Sequence, residues 1–525
     1  MSESATPTDA GELHRLEKQR RENSDAVREL GLDPYGSGVQ GPDVVASLVP
    51  LDEAKGRYDE AADADHQERG QEDGFVDRRP RVRVAGRVVL RRPSGKLVWM
   101  NLRDATGDLQ VAVSKADCDE TSFAFAKASD LADIVVVEGP LMRTRKGEVT
   151  VWASSVVPAS KCLVPPPEKW SGLQDVELRY RQRYVDLWAN PESMGVLQLR
   201  SEIVWAVRSL MRGRGFREVE TPMLQAQAGG AAARPFVTHM NALELDLFMR
   251  IAPELYLKRL LVGGMPRVFE INRNFRNEGV DKQHNPEFTA IEAYEAFGDY
   301  HTVMELSEAI LREGARVVSD ARGMAGSLAL PYGEIVIDYA QDFRRVTYAE
   351  LFERALGFAI DDHGRAMDEA PKHRVKTRSE EGVDLNPVWV VNELFEEVAE
   401  PTIDPAVPTW VMDYPAVLSP LTRPKVGDAS IAERADLFIA GMEIGPHYTE
   451  LNDPDIQAAR FRDQLAGIDD EESTFRNLDE DFLRALMVGM PPAGGMGLGI
   501  DRLVMLLTDS PTIRDVIPFP LLRPE

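Results

Sequence analysis

Cysteine is nearly absent from the 525-residue chain, which contains only Cys118 and Cys162. Two such distant cysteines, without a Cys-x-x-Cys motif, argue against a disulfide framework and against a thiolate zinc site. The eight histidines are scattered, and no two of them form a His-x-x-x-His pair. The chain also has no run of about 18 apolar residues that would cross a membrane, and its N-terminus lacks the order of a secretory signal. We therefore expect a cytoplasmic protein without a membrane partner.

The chain has fewer basic than acidic residues: 61 Lys and Arg against 87 Asp and Glu, which gives a net charge of −26. This balance counts against nucleic-acid binding unless the cations are clustered locally. The composition, 43% hydrophobic and 28% charged, is typical of a globular protein. The length exceeds what one hydrophobic core usually organises, so we expect two or three domains.

A local cluster of cations occurs at residues 78–96, which contain eight Lys or Arg residues and no acid. The alternation of Arg and Val at 81–84 predicts a strand with one basic face. Further short strands are predicted at 97–102, 109–113, 134–139 and 149–154. Five short strands favour a small barrel of the OB type over residues 76–165, a fold whose face binds oligonucleotides.

One aromatic residue and its polar neighbours in this barrel are the natural candidates for contact with nucleic-acid bases. The candidates are Arg91, Arg92, Trp99 and Gln110. Aromatic rings stack on bases, and cations follow the phosphate backbone. The alternative interpretation makes Trp99 a core residue and the arginines a solvated edge.

The segments on either side of the barrel differ in character. Residues 1–75 are mostly polar, and we expect a helix at 13–32 followed by a flexible linker at 54–74 in which acids, alanines and glycines dominate. Residues 166–525, which follow a proline-rich linker, form a larger domain. Its predicted parts are helices at 201–215, 300–318 and 479–488, strands at 216–221 and within 410–451, and a helical insert at 341–404. The whole chain therefore has an α+β pattern.

Cations and carboxylates are interspersed with apolar residues between positions 252 and 294. Buried charges are stable only when they pair with each other or with a charged ligand, so a charged ligand is expected here. Arg276 and Glu278 are two residues apart, as are Glu292 and Tyr294, and residues so spaced share one face of a strand. The first pair suits a phosphate and an amine or adenine edge, and the second pair suits a cationic tail. The alternative is a strand with surface salt bridges.

A glycine-rich run at 494–499 directly precedes an apolar helix that contains Arg502. Glycines allow a ligand to approach the backbone, and the N-terminus of a helix favours phosphate. Arg502 is placed to reach the same phosphates or to stack on a purine. The run is neither the Gly-x-Gly-x-x-Gly fingerprint of a βαβ unit nor a Walker loop. The alternative is a glycine-rich turn with a solvated arginine.

The order of these parts resembles a class II aminoacyl-tRNA synthetase. The helix, strand and proline around Pro222 resemble motif 1, residues 275–278 (Phe-Arg-Asn-Glu) resemble motif 2, and residues 497–502 (Gly-Leu-Gly-Ile-Asp-Arg) resemble motif 3. More narrowly, the chain resembles the lysyl-tRNA synthetase family over nearly its whole length. The matching runs are 31–35, 180–184, 229–236, 252–259, 271–279, 284–288, 419–421, 450–454 and 512–516.

The resemblance implies a catalytic domain built on an antiparallel sheet flanked by helices, ATP as a substrate, Mg²⁺ as a cofactor, tRNA as a partner and a homodimer. Arg276 would hold the α-phosphate and the amino-acid carboxylate, which with Glu278 and Arg502 makes the catalytic set. The residues implied in ATP binding are Arg276, Glu278, His284, Phe288, Glu443 and Arg502. Of these, Phe288 would stack on the adenine, and Arg502 would cover the other face of the adenine and touch the γ-phosphate.

The resemblance also implies a pocket for lysine or a lysine-like amino acid. Its residues are Gly230, Glu254, Glu292, Tyr294, Tyr448 and Glu450. The Gly230 carbonyl and Glu254 would hold the α-ammonium, and Glu292, Tyr294 and Glu450 would receive the terminal ammonium. Asp436 and Glu443 would be the metal ligands. The barrel residues Arg91, Arg92, Trp99 and Gln110 would read the tRNA anticodon.

Three places depart from the usual pattern of this family. Pro446 and His447 stand where Asn-Gly or a close variant is usual, and Met442 stands where an arginine is common. Asp436 replaces a glutamate and follows Ala435 in place of an aromatic residue. Two hypotheses therefore stay open: a lysine-tRNA ligase, or a paralogue that activates lysine or an isomer for a non-tRNA acceptor. RNA binding without catalysis is a third.

Overall fold

The structure is a computed structural model in which residues 7–166, 172–231, 233–378, 385–466 and 479–524 are described. Three predictions fall partly outside these residues: the proline-rich linker at 167–171, the run 229–236 at Ala232, and the helical insert at 379–384. The chain divides into two compact units, Met1–Met194 and Gly195–Glu525. No described helix has the length and apolar character needed to span a membrane.

The first unit contains a closed OB-type barrel. Its helices are α1 Pro7–Glu29, α2 Pro42–Ser47, α3 Leu51–Gly56, α4 Glu60–Arg69, α5 Glu120–Ala128, α6 Val176–Arg181 and α7 Arg183–Ala189. Its strands are β1 Arg81–Ser94, β2 Leu97–Arg103, β3 Asp108–Ser114, β4 Ile134–Arg143, β5 Val149–Ala153 and β6 Ser155–Ser160. They pair in the order β1-β2-β3-β5-β4-β6, and a further pairing of β1 with β4 closes the barrel. The predicted OB fold is confirmed.

Period-two alternation explains how the barrel encloses its core. In β2, Val98, Met100 and Leu102 are buried, whereas Trp99 and Asn101 between them point outward and are half-buried. Successive side chains of a strand point to opposite faces, so one face fills the interior and the other stays available for a ligand.

The prediction of a flexible linker at 54–74 is wrong, because helices α3 and α4 occupy most of this segment. Ala54 is buried in the barrel core, and the side chain of Asp59 caps α4 by accepting from the amide of Ala62. Asp63 is buried, and its carboxylate accepts from the Tyr58 hydroxyl at 3.0 Å and from the Arg143 amide at 2.8 Å. The acids that suggested disorder are therefore caps and buried acceptors, which composition alone does not distinguish.

The second unit is built on one large sheet. Its helices are α8 Pro191–Gly213, which begins in the first unit, α9 Glu254–Val262, α10 Tyr300–Ala321, α11 Tyr348–Leu356, α12 His363–Glu369, α13 Pro387–Leu394, α14 Pro454–Ala466, α15 Glu480–Gly489, α16 Ile500–Thr508 and α17 Ile513–Val516. Its strands are β7 Arg217–Glu218, β8 Leu224–Gln225, β9 Val237–Met240, β10 Leu245–Met249, β11 Arg267–Phe275, β12 Glu287–Ala296, β13 Ala329–Tyr332, β14 Ile335–Asp338, β15 Arg344–Thr347, β16 Thr409–Pro415, β17 Pro424–Lys425, β18 Asp428–Ile439, β19 Met442–Thr449 and β20 Ala493–Gly499.

The large sheet has the order β15-β16-β18-β19-β20-β12-β11-β7, with β17 paired to β18. The pairings from β16 to β11 are antiparallel, and the two outer ones, β15 with β16 and β7 with β11, are parallel. Helices α10 and α16 pack on one face of the sheet and bury a core that includes Ile291, Ala293 and Leu498. The opposite face, which we call the cleft face, carries the residues of the candidate site.

Two predicted elements of the second unit differ from the structure. The strand expected at 216–221 is reduced to β7 (Arg217–Glu218), and the insert at 341–404 is not wholly helical. It begins with β15, whose pairing with β16 makes it part of the large sheet. The insert has its own buried core, in which the ring centroids of Tyr348 and Phe395 lie 4.0 Å apart. A short parallel edge strand carries little periodicity, which explains why it was not expected.

Candidate active site and nucleic-acid face

The cleft face is assembled from alternate residues of the central strands. On β12, Phe288, Glu292 and Tyr294 face the cleft, while Ile291 and Ala293 between them face the helices. Glu292 is paired in register with Glu270 of β11 on one side and with Gly497 of β20 on the other. The predicted i, i+2 relation therefore does bring Glu292 and Tyr294 to one face, with the Tyr294 hydroxyl 3.4 Å from Glu292 Oε2.

Two arginines mark one end of the cleft, which we call the nucleotide end. The guanidinium of Arg276 lies 5.0 Å from the centroid of the Phe288 ring, and its buried Nε has no hydrogen-bond partner among the described residues. Arg502, in the first turn of α16, donates from Nη1 to the carbonyl of Glu443. Burial lowers the pKa of Arg502, and the nearby positive charge of Arg276 adds to that effect. Two cations held this close favour a polyanionic ligand.

A hydrogen-bonded relay orients Arg502. The Asp281 carboxylate accepts from the backbone amide of His284 at 2.7 Å and lies 2.8 Å from His284 Nδ1. Because Nδ1–H donates to Asp281, Nε2 is free to accept from Arg502 Nη2, which is 3.0 Å away. Although burial acts in the opposite direction, the hydrogen bonds from His284 and from the Gln283 amide lower the pKa of Asp281. The sequence analysis missed Asp281.

Glu278 is the nucleotide-end residue that the structure does not bring into contact with the others. It is exposed on the loop that follows β11, and it forms no hydrogen bond or ion pair with a described residue. The neighbouring backbone is nevertheless fixed, because the amide of Arg276 donates to Pro286 and that of Asn277 to Arg234.

Buried carboxylates mark the other end of the cleft, which we call the amino-acid end. Glu254 begins α9, Glu292 lies on β12, and Glu450 directly follows β19; all are buried. Burial, strengthened by the nearby carboxylates Glu254 and Glu270, raises the pKa of Glu292 to about 8. Burial also raises the pKa of Glu450. An ammonium bound beside Glu292 would favour the ionised form of this carboxylate.

The sequence analysis missed a lysine inside this pocket. The side chain of Lys258 is completely buried, and its Nζ lies 2.6 Å from Glu254 Oε1 and in ion-pair contact with Glu450 Oε2. Glu254 and Lys258 are four residues apart, the spacing that places two side chains on one face of a helix. That spacing was visible in the sequence and was the signal for this pair.

Small residues make room for the pocket side chains. A Cβ on Gly495 of β20 would lie 1.9 Å from Glu450 Oε1 and 2.6 Å from Tyr294 Cε1, so only glycine fits there. Gly230 has a φ of +89°, and a Cβ there would lie 3.3 Å from the Cβ of Glu254. The glycine-rich run is thus a strand that passes beneath bulky pocket residues, and the alternative interpretation as a turn is wrong.

The two predicted metal ligands lie on neighbouring strands inside the large sheet, Asp436 on β18 and Glu443 on β19. Asp436 is buried and is held by Arg434, whose Nη2 lies 2.6 Å from Asp436 Oδ2. Burial raises the pKa of Glu443, and the charge of Asp436 raises it further. Among the described residues no group of three or more His, Cys, Asp or Glu side chains is arranged to hold a metal ion. Two carboxylates fit Mg²⁺ when substrate phosphates and water complete its oxygen ligands.

The departures at Pro446 and His447 lie on opposite faces of β19. His447 Nε2 is 2.5 Å from the Ser307 hydroxyl of α10, and its ring packs edge-on against Trp410 at 4.6 Å. Burial lowers the pKa of His447 to about 3, so it is a neutral core residue outside the cleft. Pro446 faces the cleft, with its Cδ 3.9 Å from the position of a Cβ on Gly497. Met442 is buried in the same core as Trp410.

The predicted base-contacting residues of the barrel divide into two groups. Arg92, Trp99, Ala112 and Trp152 are paired in register across β1, β2, β3 and β5, which places their side chains on one outer face. Gln110 shares that face, and the Thr150 hydroxyl donates to its Oε1 at 2.9 Å.

Arg91 does not share this face, because its Nε donates to the carbonyl of Ala126 at 3.2 Å and its Nη2 to that of Lys127. Its guanidinium binds the carbonyl end of α5, and its contact with the anticodon stays a prediction. Trp99 is half-buried on the outer face rather than in the core, which contradicts the alternative interpretation. Trp152, which the sequence analysis missed, adds a second aromatic ring, and period-two alternation in β5 was the available signal.

Comparison with known proteins agrees with this geometry. The model of the class II tRNA synthetases (D, K and N) matches residues 175–523, and that of the OB-fold nucleic acid binding domain matches residues 82–159. The chain therefore belongs to the class II tRNA synthetase family that comprises the D, K and N enzymes.

Within that family the similarity runs to proteins named lysine–tRNA ligase, which confirms the resemblance to the lysyl-tRNA synthetases. The one from Pelotomaculum thermopropionicum is 44% identical over 519 residues, which cover 98% of this chain and 96% of the relative. The one from Burkholderia pseudomallei is 44% identical over 526 residues, 98% of each chain. The one from Carboxydothermus hydrogenoformans is 42% identical over 517 residues, 98% and 99% of the two chains. The chain is accordingly an aminoacyl-tRNA ligase of class II.

Proposed function

We propose that the chain is a lysine–tRNA ligase, which converts lysine and ATP to lysyl-adenylate and pyrophosphate and then transfers the lysyl group to tRNA. The observation that carries this proposal is the polarity of the cleft face, where cations gather at one end and buried carboxylates at the other. An amino acid with a terminal ammonium, laid along this face, presents its carboxylate to the arginine end. The names of the relatives support the same substrate.

In the first step an oxygen of the lysine carboxylate attacks the α-phosphorus, and the bond to the pyrophosphate oxygen breaks. This nucleophile is already ionised, so no general base is needed, and catalysis consists of positioning and charge neutralisation. Arg276 would bridge the carboxylate and the α-phosphate, a role that suits its planar fork and its buried, unpartnered Nε. Phe288 would stack on the adenine, and Arg502 with His284 would hold the terminal phosphates. Glu278 would meet the adenine edge after its loop closes.

In the second step a hydroxyl of the terminal ribose of tRNA attacks the carbonyl of the adenylate, and AMP leaves.

Asp436 and Glu443 would hold Mg²⁺, which neutralises phosphate charge when it is bound. Arg434 already fixes the orientation of the Asp436 carboxylate by ion pairing. The Asp436 side chain is shorter than that of a glutamate, but its carboxylate therefore has one defined orientation toward the metal site.

The amino-acid end would select the substrate by the pairing of buried charges. Glu292, Tyr294, Tyr448 and Glu450 would surround the terminal ammonium, and Glu254 with the carbonyl of Gly230 would bind the α-ammonium. An amino acid without the terminal ammonium would leave at least one buried acceptor unpaired. Such a group costs about 1–3 kcal/mol, which is enough to reject apolar competitors.

We further propose that residues 76–165 bind the anticodon and that residues 166–525 form the catalytic domain. Trp99, Trp152 and Arg92, which share one outer face of the barrel, support stacking on exposed bases. The reaction would take place in the cytoplasm, where tRNA is charged.

A homodimer is also part of the proposal. The hairpin of β9 and β10 exposes apolar side chains, including Val237, Leu243 and Leu245, and Trp205 of α8 is 67% exposed. A second copy of the chain would cover such surfaces. Sedimentation at micromolar concentration is expected to give twice the chain mass of 58.5 kDa. Sedimentation as a monomer would contradict this part of the proposal.

Pyrophosphate exchange with lysine, β-lysine and ornithine, followed by charging of tRNA with the preferred amino acid, tests the function. We expect exchange with lysine and transfer of lysine to tRNA. Exchange with lysine but no transfer would refute tRNA as the acceptor, and no exchange with any of the three would refute the activity.

A second candidate is a paralogue that activates lysine or an isomer for a non-tRNA acceptor. The observation in its favour is Pro446, which offers neither a side-chain donor nor an amide hydrogen on the cleft face. The barrel face with its two tryptophans counts against this candidate. Preferred exchange with β-lysine, together with no charging of tRNA, would favour it.

A further inference from the structure

A buried lysine lies where the proposed substrate would place its own ammonium groups. Lys258 is in the second turn of α9, whose residues Leu257 and Leu261 pack into the core, yet the Lys258 side chain points to the cleft side and is fully buried. Its Nζ pairs with Glu254 at 2.6 Å and also contacts Glu450. One resident cation therefore serves two carboxylates on different elements.

The remaining carboxylate of the pocket has no such partner. Arg250 is paired with Glu270 at 2.6 Å, and no described cation forms an ion pair with Glu292. Glu450 Oε1 is buried and accepts no hydrogen bond from a described residue. Once Glu254, Glu292 and Glu450 are all ionised, these three buried carboxylates and the one buried ammonium leave a surplus of two negative charges within the pocket.

This surplus matches a particular class of ligand. A diamino acid carries two ammonium groups, and its carboxylate is directed to Arg276 at the nucleotide end. A monoamino acid brings only one ammonium and leaves a carboxylate without a counter-ion in a place where water does not replace it. Without Lys258, even a diamino acid would leave one carboxylate unpaired.

We propose that Lys258 is a specificity-determining residue, because its ammonium sets the pocket charge so that two substrate ammonium groups, and not one, balance it. This inference rests on the proposed function and adds a requirement for a third, resident ammonium. A buried ion pair with a purely structural role can often be replaced by apolar residues without loss of stability. Lys258 would differ from such a pair, because its charge would be needed to select the substrate.

Lys258→Met keeps the length of the side chain and removes its charge. We expect the KM for lysine in pyrophosphate exchange to rise by about tenfold or more, while the KM for ATP changes by less than about twofold. Arg259→Met, at the next residue of α9, is the matched control. The Arg259 side chain forms an ion pair with Asp479 (3.0 Å) and not with a carboxylate of the pocket. The control is expected to keep the wild-type KM for lysine.

The double variant Lys258→Met/Glu450→Gln removes one charge of each sign and separates charge balance from packing. We expect it to bind lysine at least about threefold more tightly than Lys258→Met does, which is a favourable coupling between neighbours. If Lys258→Met does not fold, the double variant is compared with Glu450→Gln instead. The double variant is then expected to fold and to discriminate lysine from norleucine.

Two results would overturn the inference: an unchanged KM for lysine in Lys258→Met, or a double variant no better than the single one. The wild-type protein, assayed in parallel, distinguishes failure of the proposed function from failure of the role of Lys258. Absence of lysine-dependent exchange in the wild type refutes the proposed function, whereas wild-type exchange with an unaffected Lys258→Met refutes only the role of Lys258.

Discussion

The two ends of the cleft handle charge in different ways. At the nucleotide end Glu278 and His284 are exposed, Arg276 is half-buried, and the relay from Asp281 to Arg502 runs along the surface. At the amino-acid end Glu254, Lys258 and Glu450 are buried and form one connected ion-pair cluster. Partly exposed cations attract a polyanion at a smaller desolvation cost, whereas buried charges penalise every ligand that fails to complete their pairing. Under the proposed function, affinity for the nucleotide and selection of the amino acid would therefore depend on different physical effects.

The largest effect is expected from Arg276→Ala, which removes the cation at the junction of the two ends. The rate of adenylate formation should fall by about 1,000-fold or more, because a guanidinium that neutralises the transition state is lost. Single-turnover measurement of pyrophosphate release checks this. Arg273→Ala is the control, since Arg273 pairs with exposed Glu287 at 3.3 Å, and a comparable loss there would make the effect unspecific.

Glu292→Gln breaks the amino-acid end and should leave the nucleotide end intact. The KM for lysine is expected to rise by about 100-fold with little change in the KM for ATP, because a neutral amide replaces the carboxylate that receives the ammonium. Glu295→Gln, three residues along β12 and paired with Arg267 at 2.6 Å, is the matched control. Unchanged selectivity between lysine and norleucine in the Glu292 variant would refute the pocket assignment.

The pH dependence of lysine binding sharpens the same contrast. The pKa of Glu292 is raised to about 8 by burial and by Glu254 and Glu270, so protonation below this pH opposes binding of an ammonium. The dissociation constant for lysine should therefore fall by about tenfold between pH 6 and pH 7, as the carboxylate ionises while both ammonium groups of lysine stay protonated. Calorimetric titration without ATP measures this, and Glu292→Gln should remove most of the dependence. A wild-type constant that does not vary with pH would contradict the assignment.

A smaller effect is expected from Asp281→Asn at the nucleotide end. The amide no longer fixes the His284 tautomer that accepts from Arg502, so Arg502 loses its orientation. We expect the KM for ATP to rise by about three- to tenfold, with the KM for lysine unchanged. An equal rise in both constants would show that the relay supports the whole cleft and not one end.

Much of this contrast was predictable from residue patterns, and the failures have identifiable causes. The i, i+2 pair on β12 follows from strand periodicity, so Glu292 and Tyr294 were found. Arg276 and Glu278, which were expected to share one face of a strand, lie beyond the end of β11 at Phe275, where that periodicity does not apply. Lys258 was not singled out, although its spacing from Glu254 is visible in the sequence, and only the fold shows that Glu450 also pairs with it. Tertiary pairing of charges is not encoded in a local pattern.

The departures at 446–447 show the same limit in another form. A ring in place of a small residue at position 447 departs from the family pattern, yet His447 points to the helix side, where Ser307 and Trp410 accommodate it. Strand alternation would have predicted that His447 and Pro446 face opposite sides, but not which side is the cleft. Arg91 was grouped with Trp99 in the sequence, yet its guanidinium is hydrogen-bonded to the last turn of α5.

Under the proposed function, the nucleotide end and the amino-acid end bind opposite parts of one lysyl-adenylate, each through its own charged residues. The most direct measurement is the dissociation constant of a lysyl-sulfamoyl adenosine, a stable mimic of the adenylate, beside that of its norleucyl counterpart. The two compounds differ only in the terminal ammonium. We expect the lysyl compound to bind about 100-fold more tightly or better, since norleucine leaves buried carboxylates unpaired. Equal affinities would contradict the account.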